Sequence, residues 1–94
     1  MEKRKVRAEI LLKGLVQGVG FRWFVLKKAG SYSLKGYVKN LYTGEVLIVA
    51  EGQKYEIEDF FREVKIGPQF SSVNNASINW LEYKNEFKGF EVKY

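Results

Sequence analysis

The residues best suited to chemistry lie in one short stretch, residues 14–23, which reads GLVQGVGFRW. Gly18 and Gly20 can adopt positive φ, which lets consecutive peptide N–H groups curl around one concavity and bind an anion. A helix predicted to begin near Phe21 would add unpaired N–H groups and the positive end of its dipole. Arg22, in the first turn of that helix, carries a planar guanidinium that could close over a phosphate. The stretch therefore predicts an anion-binding loop.

The spacing of these glycines leaves a second interpretation open. No Gly-Lys-Ser/Thr follows, as it would in a P-loop, and the glycine spacing of a dinucleotide fingerprint is absent. A tight strand-to-helix turn with Arg22 exposed to solvent explains the same residues. However, a cation in the first turn opposes the helix dipole by roughly 0.3 to 1 kcal/mol, and a bound anion would account for its presence there.

The composition restricts the chemistry that this loop can take part in. The chain of 94 residues contains no Cys and no His, which excludes disulfides, thiolate nucleophiles, phosphohistidine and the usual zinc sites. A net charge of +5 favours anionic partners but does not distinguish a nucleic acid from a small phosphate. No apolar run approaches the roughly 20 residues of a membrane span, and the N-terminus lacks a signal-peptide pattern. We therefore expect a cytoplasmic protein without a membrane partner.

The elements that position the loop follow from hydrophobic periodicity. Alternation predicts strands and 3.6-residue spacing predicts helices. The predicted order is a strand at 6–12, a helix at 21–32, a hairpin with strands at 36–41 and 45–51, a helix around 57–64, a long strand at 73–84 and a short strand at 90–94. This order predicts an α+β, ferredoxin-like split βαβ fold (βαββαβ plus a terminal strand), with an antiparallel sheet and both helices on one face. Because no linker interrupts the pattern, we expect a single domain over residues 1–94.

Two segments resemble the two signatures of the acylphosphatase family. They are GLVQGVGFR at residues 14–22 and GYVKNLYTGEVLIVAEG at residues 36–52, and the ending at residues 90–94 is also similar to the family's. The resemblance thus covers nearly the whole chain. Two departures lie away from these signatures: Gly30 is inside the first helix, and Ser33 stands where the family usually has a helix-ending glycine.

The resemblance implies hydrolysis of acyl phosphates to a carboxylate and inorganic phosphate, with no cofactor and no metal. It implies that the Arg22 guanidinium holds the phosphoryl group while the Asn40 side chain orients the attacking water. A carboxylate leaving group needs little protonation, so a site without histidine can manage this reaction. Inorganic phosphate is then expected as product and inhibitor, and the protein as a monomer. The backbone amides expected to bind the phosphate are those of Gln17, Gly18, Val19, Gly20, Phe21 and Arg22.

Two alternatives without turnover remain, a phosphate-binding module and an RNA-binding module of the same fold. The segment KGYVKNL at residues 35–41 begins like an RNA-binding signature, but Lys39 stands where a base-stacking aromatic is needed. We therefore expect no nucleic-acid partner. The large aromatics are expected to belong to the core or to cover the sheet rather than to contact a ligand. They are Trp23, Phe24, Trp80 and Tyr83.

Overall fold

Two helices and five strands follow one another along residues 4–94, the part of the chain that the computed structural model describes. Neither helix is long and apolar enough to cross a membrane. The elements are β1 (Lys5–Leu15), α1 (Phe21–Ser31), β2 (Lys35–Asn40), β3 (Val46–Gln53), α2 (Lys54–Ile66), β4 (Ser72–Leu81) and β5 (Phe90–Lys93).

The five strands form one sheet in the order β4-β1-β3-β2-β5. β1 pairs antiparallel with β3 and β4, and β2 pairs antiparallel with β3. The predicted βαββαβ order with a terminal strand is confirmed. The expectation of a wholly antiparallel sheet needs one correction, because β5 runs parallel to β2, with Val38 opposite Val92. The reason is geometric: β4 runs opposite to β2, and the chain reverses once more as it crosses from β4 to β5.

The core lies between one face of the sheet and the two helices. β1 buries every second side chain, as the period of a strand requires. Helix α1 packs on β2 and β5, and α2 packs on β1 and β3, which confirms that both helices cover the same face. The buried side chains include Val6, Ala8, Ile10 and Leu12 from β1, Phe21, Val25 and Ala29 from α1, and Ile57, Phe60 and Val64 from α2.

A buried carboxylate fastens the segment 82–89 across the other face of the sheet. The side chain of Glu51, on a residue only 3% exposed, accepts hydrogen bonds from the backbone N–H of Lys84 at 2.7 Å and of Glu86 at 3.3 Å. The guanidinium of Arg7 lies 3.6 Å from the same carboxylate and also pairs with Glu86. This anchorage delivers β5 to the edge of β2.

Candidate active site

The turn between β1 and α1 has the backbone conformation that the sequence predicts. Gly18 has a φ of +75° and Gly20, the N-cap residue of α1, a φ of +76°. Both values lie in the left-handed region, which glycine enters without a steric penalty. A Cβ atom built on either residue would meet no other atom within 4 Å. The backbone conformation therefore favours glycine at both positions, and the space beside the turn is open.

The amides of this turn are available to a ligand. Within the described residues 4–94, the backbone N–H groups of residues 17–20 donate to no backbone carbonyl. The first N–H groups of a helix have no intrahelical partner, and α1 has neither a side-chain cap nor an acidic residue in its first turn. The side chains of Val19 and Phe21 pack with the core, so these residues can offer only their backbone. A tetrahedral anion would complement this set of donors.

A pocket of about 220 Å³ opens at this turn and brings together the two side chains that the sequence singles out. Gly18, Gly20 and Arg22 line it from the turn and from α1, and Asn40 lines it from the end of β2. Asn40 reaches this position because β2 ends there, opposite Val46 of β3. The arginine and the asparagine therefore share one cavity.

The Asn40 side chain carries an unsatisfied acceptor. Its Oδ1 atom is buried and has no hydrogen-bond partner among residues 4–94. Leaving such a group unpaired costs about 1 to 3 kcal/mol, which a bound water would recover. An amide supplies only an acceptor oxygen and a donor nitrogen, so Asn40 can hold and orient a water but cannot act as a general base.

Gln17 contributes a contact that sequence reasoning missed. Its Nε2 atom donates to the backbone oxygen of Leu41 at 2.7 Å and to that of Glu45 at 2.9 Å. These two residues flank the turn of the β2–β3 hairpin, immediately after Asn40. The Gln17 side chain therefore joins the glycine turn to the strand end that carries Asn40. The sequence predicted a role only for its backbone amide, because nothing in the chain pattern shows which carbonyls lie nearby.

Two exposed aromatic side chains border the same pocket. Trp23 is 64% exposed and Tyr94 is 92% exposed, and both line the cavity. The guanidinium carbon of Arg22 lies 4.9 Å from the centre of the Tyr94 ring. The expectation that Trp23 belongs to the core or covers the sheet is wrong, because it is on the outward side of α1. Among residues 4–94, no group of three or more Asp, Glu, His or Cys side chains is arranged to hold a metal ion.

The topology defines a ferredoxin-like α+β domain. Its pocket combines unpaired backbone N–H groups at a helix N-terminus with an arginine and an asparagine side chain. The sequence model of the family described as Acylphosphatase matches residues 8–92. The acylphosphatase of Caldanaerobacter subterraneus subsp. tengcongensis is 40% identical over 94% of this chain and 98% of its own length. That of Thermus thermophilus is 44% identical over 92% of this chain and 97% of its own.

Solved structures agree with these relatives. The acylphosphatase of Bacillus subtilis superimposes with a TM-score of 0.92 at 37% identity, covering 95% of this chain and 99% of that one. Full-length HypF, in its phosphate- and nucleotide-bound form, matches with a TM-score of 0.89 at 36% identity over 100% of this chain but only 12% of its own. The chain belongs to the acylphosphatase family. It is an enzyme that hydrolyses small acyl phosphates, and the alternatives without turnover are not favoured.

Proposed function

We propose that this acylphosphatase works by direct attack of a water, oriented by Asn40, on a phosphoryl group held by Arg22 and by the backbone amides of residues 17–22. The open donors of the glycine turn and the position of Arg22 on the same pocket support this assignment. Phosphoryl transfer needs chiefly positioning and charge stabilisation, and both are available in this pocket.

The reaction balances without a covalent intermediate. The water oxygen forms a bond to phosphorus while the bond from phosphorus to the acyl oxygen breaks, and that electron pair leaves with the carboxylate. One water proton passes to a phosphoryl oxygen of the substrate, because none of the described side chains that line the pocket is a suitable base at neutral pH. The products are a carboxylate and inorganic phosphate, and the scheme uses neither a metal nor a cofactor.

Arg22 and the amides contribute most where negative charge accumulates on the phosphoryl oxygens. The guanidinium can donate two parallel hydrogen bonds to these oxygens, which fixes their orientation and stabilises their negative charge. Removing one such preorganised donor typically costs about 10²- to 10³-fold in rate. The same contacts would bind inorganic phosphate, which we propose as a competitive product inhibitor.

The observation that carries the assignment of Asn40 is its buried, unpartnered Oδ1 on the pocket shared with Arg22. Asn40→Ala should lower kcat for benzoyl phosphate by about 10²-fold or more while changing the inhibition constant of inorganic phosphate by less than about threefold. Asn79→Ala, on the exposed edge of β4, is the matched control and should leave both unchanged. Equal losses of turnover and phosphate affinity would instead make Asn40 a substrate-binding residue, and no loss of either would remove it from the mechanism.

We also propose that residues 1–94 act as a single acylphosphatase domain and as a monomer. The single hydrophobic core, to which both helices and the inner strands contribute, supports the first statement. Sedimentation at micromolar concentration tests the second. The cytoplasmic location and the lack of a nucleic-acid partner stay predictions from the sequence.

A further inference from the structure

We propose that Gly67, in the turn after α2, is a positioning residue for the phosphate-binding amides. Because Gly67 has no side chain, the Phe21 ring can lie against its backbone, and this contact fixes the first residue of α1. The inference rests on the proposed function, since it explains how the amides of residues 17–22 are held in place by a residue that does not itself line the pocket.

The glycine turn has few contacts of its own to hold its shape. Gly18 and Gly20 have positive φ, and no backbone carbonyl in the described part of the chain accepts from the N–H groups of residues 17–20. The side chain of Gln17 ties the start of the turn to the β2–β3 hairpin. The end of the turn depends on Phe21, which is only 2% exposed. Because catalytic donors must be preorganised, the packing of Phe21 sets the geometry of the anion site.

The Phe21 ring packs directly on Gly67. A Cβ atom built on Gly67 would lie 2.9 Å from Cε2 and 3.4 Å from Cζ of Phe21, and closer still to Oγ of Ser71. Carbon atoms in optimal contact are about 3.5 to 4.0 Å apart, so the ring would have to move by roughly 0.5 to 1 Å. The ring belongs to the hydrophobic core, and a close-packed interior transmits strain rather than absorbing it. A shift of the ring is therefore passed to the backbone of residue 21.

The turn at residues 67–71 holds Gly67 in this place with a strained backbone. Gly67 has a φ of +76° and a ψ of 176°, a combination that is essentially confined to glycine. Phe70 has a φ of +72° although its side chain is 78% exposed, so core packing does not explain the conformation. The Ser71 hydroxyl donates to the carbonyl oxygen of Pro68 at 2.6 Å, and the Ser71 N–H donates to the same oxygen at 3.1 Å. Such strain is concentrated at functional sites, and here it lies against the residue that begins the phosphate-binding helix.

The test is Gly67→Ala, measured by competitive inhibition with inorganic phosphate and by kcat/KM for benzoyl phosphate. A misplacement of about 1 Å can cost 10²-fold, so kcat/KM should fall by about 10- to 100-fold. Inhibition by phosphate should weaken by about tenfold or more, because hydrogen bonds to a charged group are lengthened or lost. Phe21→Leu keeps the amide but lacks the ring atoms that the new methyl group would meet. In that background, adding Gly67→Ala should change phosphate inhibition by less than about threefold, since the two residues act through one contact.

Two controls separate this contact from general effects of substitution. Gly30→Ala also adds a methyl group, but among residues 4–94 its Cβ would meet no packing neighbour within 4 Å. Phosphate inhibition of this variant should equal that of the wild type. Ile57→Val trims a buried side chain near the other end of α2, so it should lower Tm and leave phosphate inhibition unchanged.

Unchanged phosphate inhibition in folded Gly67→Ala would overturn the positioning role. An equal loss on adding Gly67→Ala to the wild type and to Phe21→Leu would also overturn it, and both results leave the proposed function standing. If Gly67→Ala does not fold, Phe21→Leu alone decides the question: loss of the ring should weaken phosphate inhibition, and unchanged inhibition would overturn the proposal. A wild-type protein that inorganic phosphate does not inhibit would overturn the proposed function, and the role of Gly67 with it.

Discussion

Replacing Gln17 by alanine removes the side chain that joins the glycine turn to the hairpin after Asn40. Its Nε2 atom makes hydrogen bonds of 2.7 and 2.9 Å to the backbone oxygens of Leu41 and Glu45. Neither carbonyl is left without a partner in Gln17→Ala, because that of Leu41 also accepts from Gly44 and that of Glu45 also accepts from Leu41. The free energy of unfolding should therefore fall by the net contribution of two hydrogen bonds, about 1 to 3 kcal/mol.

This loss should be visible in both stability and activity. A chain of this size loses about 4 to 8 °C of Tm for each kcal/mol of stability lost, so Tm should fall by roughly 4 to 24 °C. Below the lowered Tm, kcat/KM for benzoyl phosphate should fall by about 10- to 100-fold, because a misplacement of about 1 Å can cost 10²-fold. Calorimetry and a steady-state assay at 25 °C measure the two effects.

A matched control separates this contact from the general loss of a glutamine. Gln69 is exposed in the turn after α2 and makes no side-chain hydrogen bond within residues 4–94, so Gln69→Ala should change neither Tm nor kcat/KM. A Gln17→Ala protein with the Tm and turnover of the wild type would refute the claim that this side chain couples the turn to Asn40.

Three further predictions concern the phosphate contact, the end of α1 and the acid stability. Arg22→Lys keeps the charge but loses the planar fork, so kcat/KM should fall by about 10²-fold or more and inhibition by inorganic phosphate should weaken; unchanged inhibition would place Arg22 outside the site. Ser33 has a φ of +56°, in the left-handed region. Ser33→Gly relieves backbone strain of about 1 to 2 kcal/mol and adds a chain-entropy cost of about 0.5 to 1 kcal/mol. The variant should therefore unfold at a higher Tm than the wild type, and a lower Tm would contradict this balance. Hydrogen bonds from Lys28 and from Tyr32 lower the pKa of Glu63 below its ordinary value of 4.5. These contacts of Glu63 therefore stabilise the folded state above the ordinary pKa, and the stabilisation is lost as the pH falls through the lowered pKa of the folded state. Glu63→Gln should accordingly be less stable than the wild type at pH 7, in urea unfolding, by a margin that narrows in acid; a margin independent of pH would count against the ion pair.

Periodicity predicted the elements well but not where the last strand would lie. The alternation of residues 6–12 and the helical stripe of residues 57–64 correspond to β1 and α2. The strand predicted at 73–84 ends at Leu81 instead, because the chain then leaves the sheet and is held by the buried Glu51. The parallel pairing of β5 with β2 depends on this crossing, which no local pattern encodes.

The site residues divide in the same way. The sequence predicted that Arg22 and Asn40 act together, since both lie in motifs that resemble the family signatures, and the structure places them on one pocket. It missed Tyr94 as a neighbour of Arg22, because the β2–β5 pairing brings the end of β5 to the start of α1. It also missed the side chain of Gln17, whose partners are carbonyls of a turn that forms only in the folded hairpin.

The most direct test of the central claim is a titration of the ¹⁵N-labelled protein with inorganic phosphate, followed by amide NMR. If the glycine turn binds the phosphoryl group, the backbone amide signals of residues 17–22 and the Arg22 side-chain signals should shift together with one saturable dissociation constant, and the Asn40 side chain should shift with them. The claim would be contradicted if the signals of residues 17–22 stayed in place while phosphate shifted the signals of another part of the surface. It would also be contradicted if these signals stayed in place and benzoyl phosphate were still hydrolysed at the full rate in saturating phosphate.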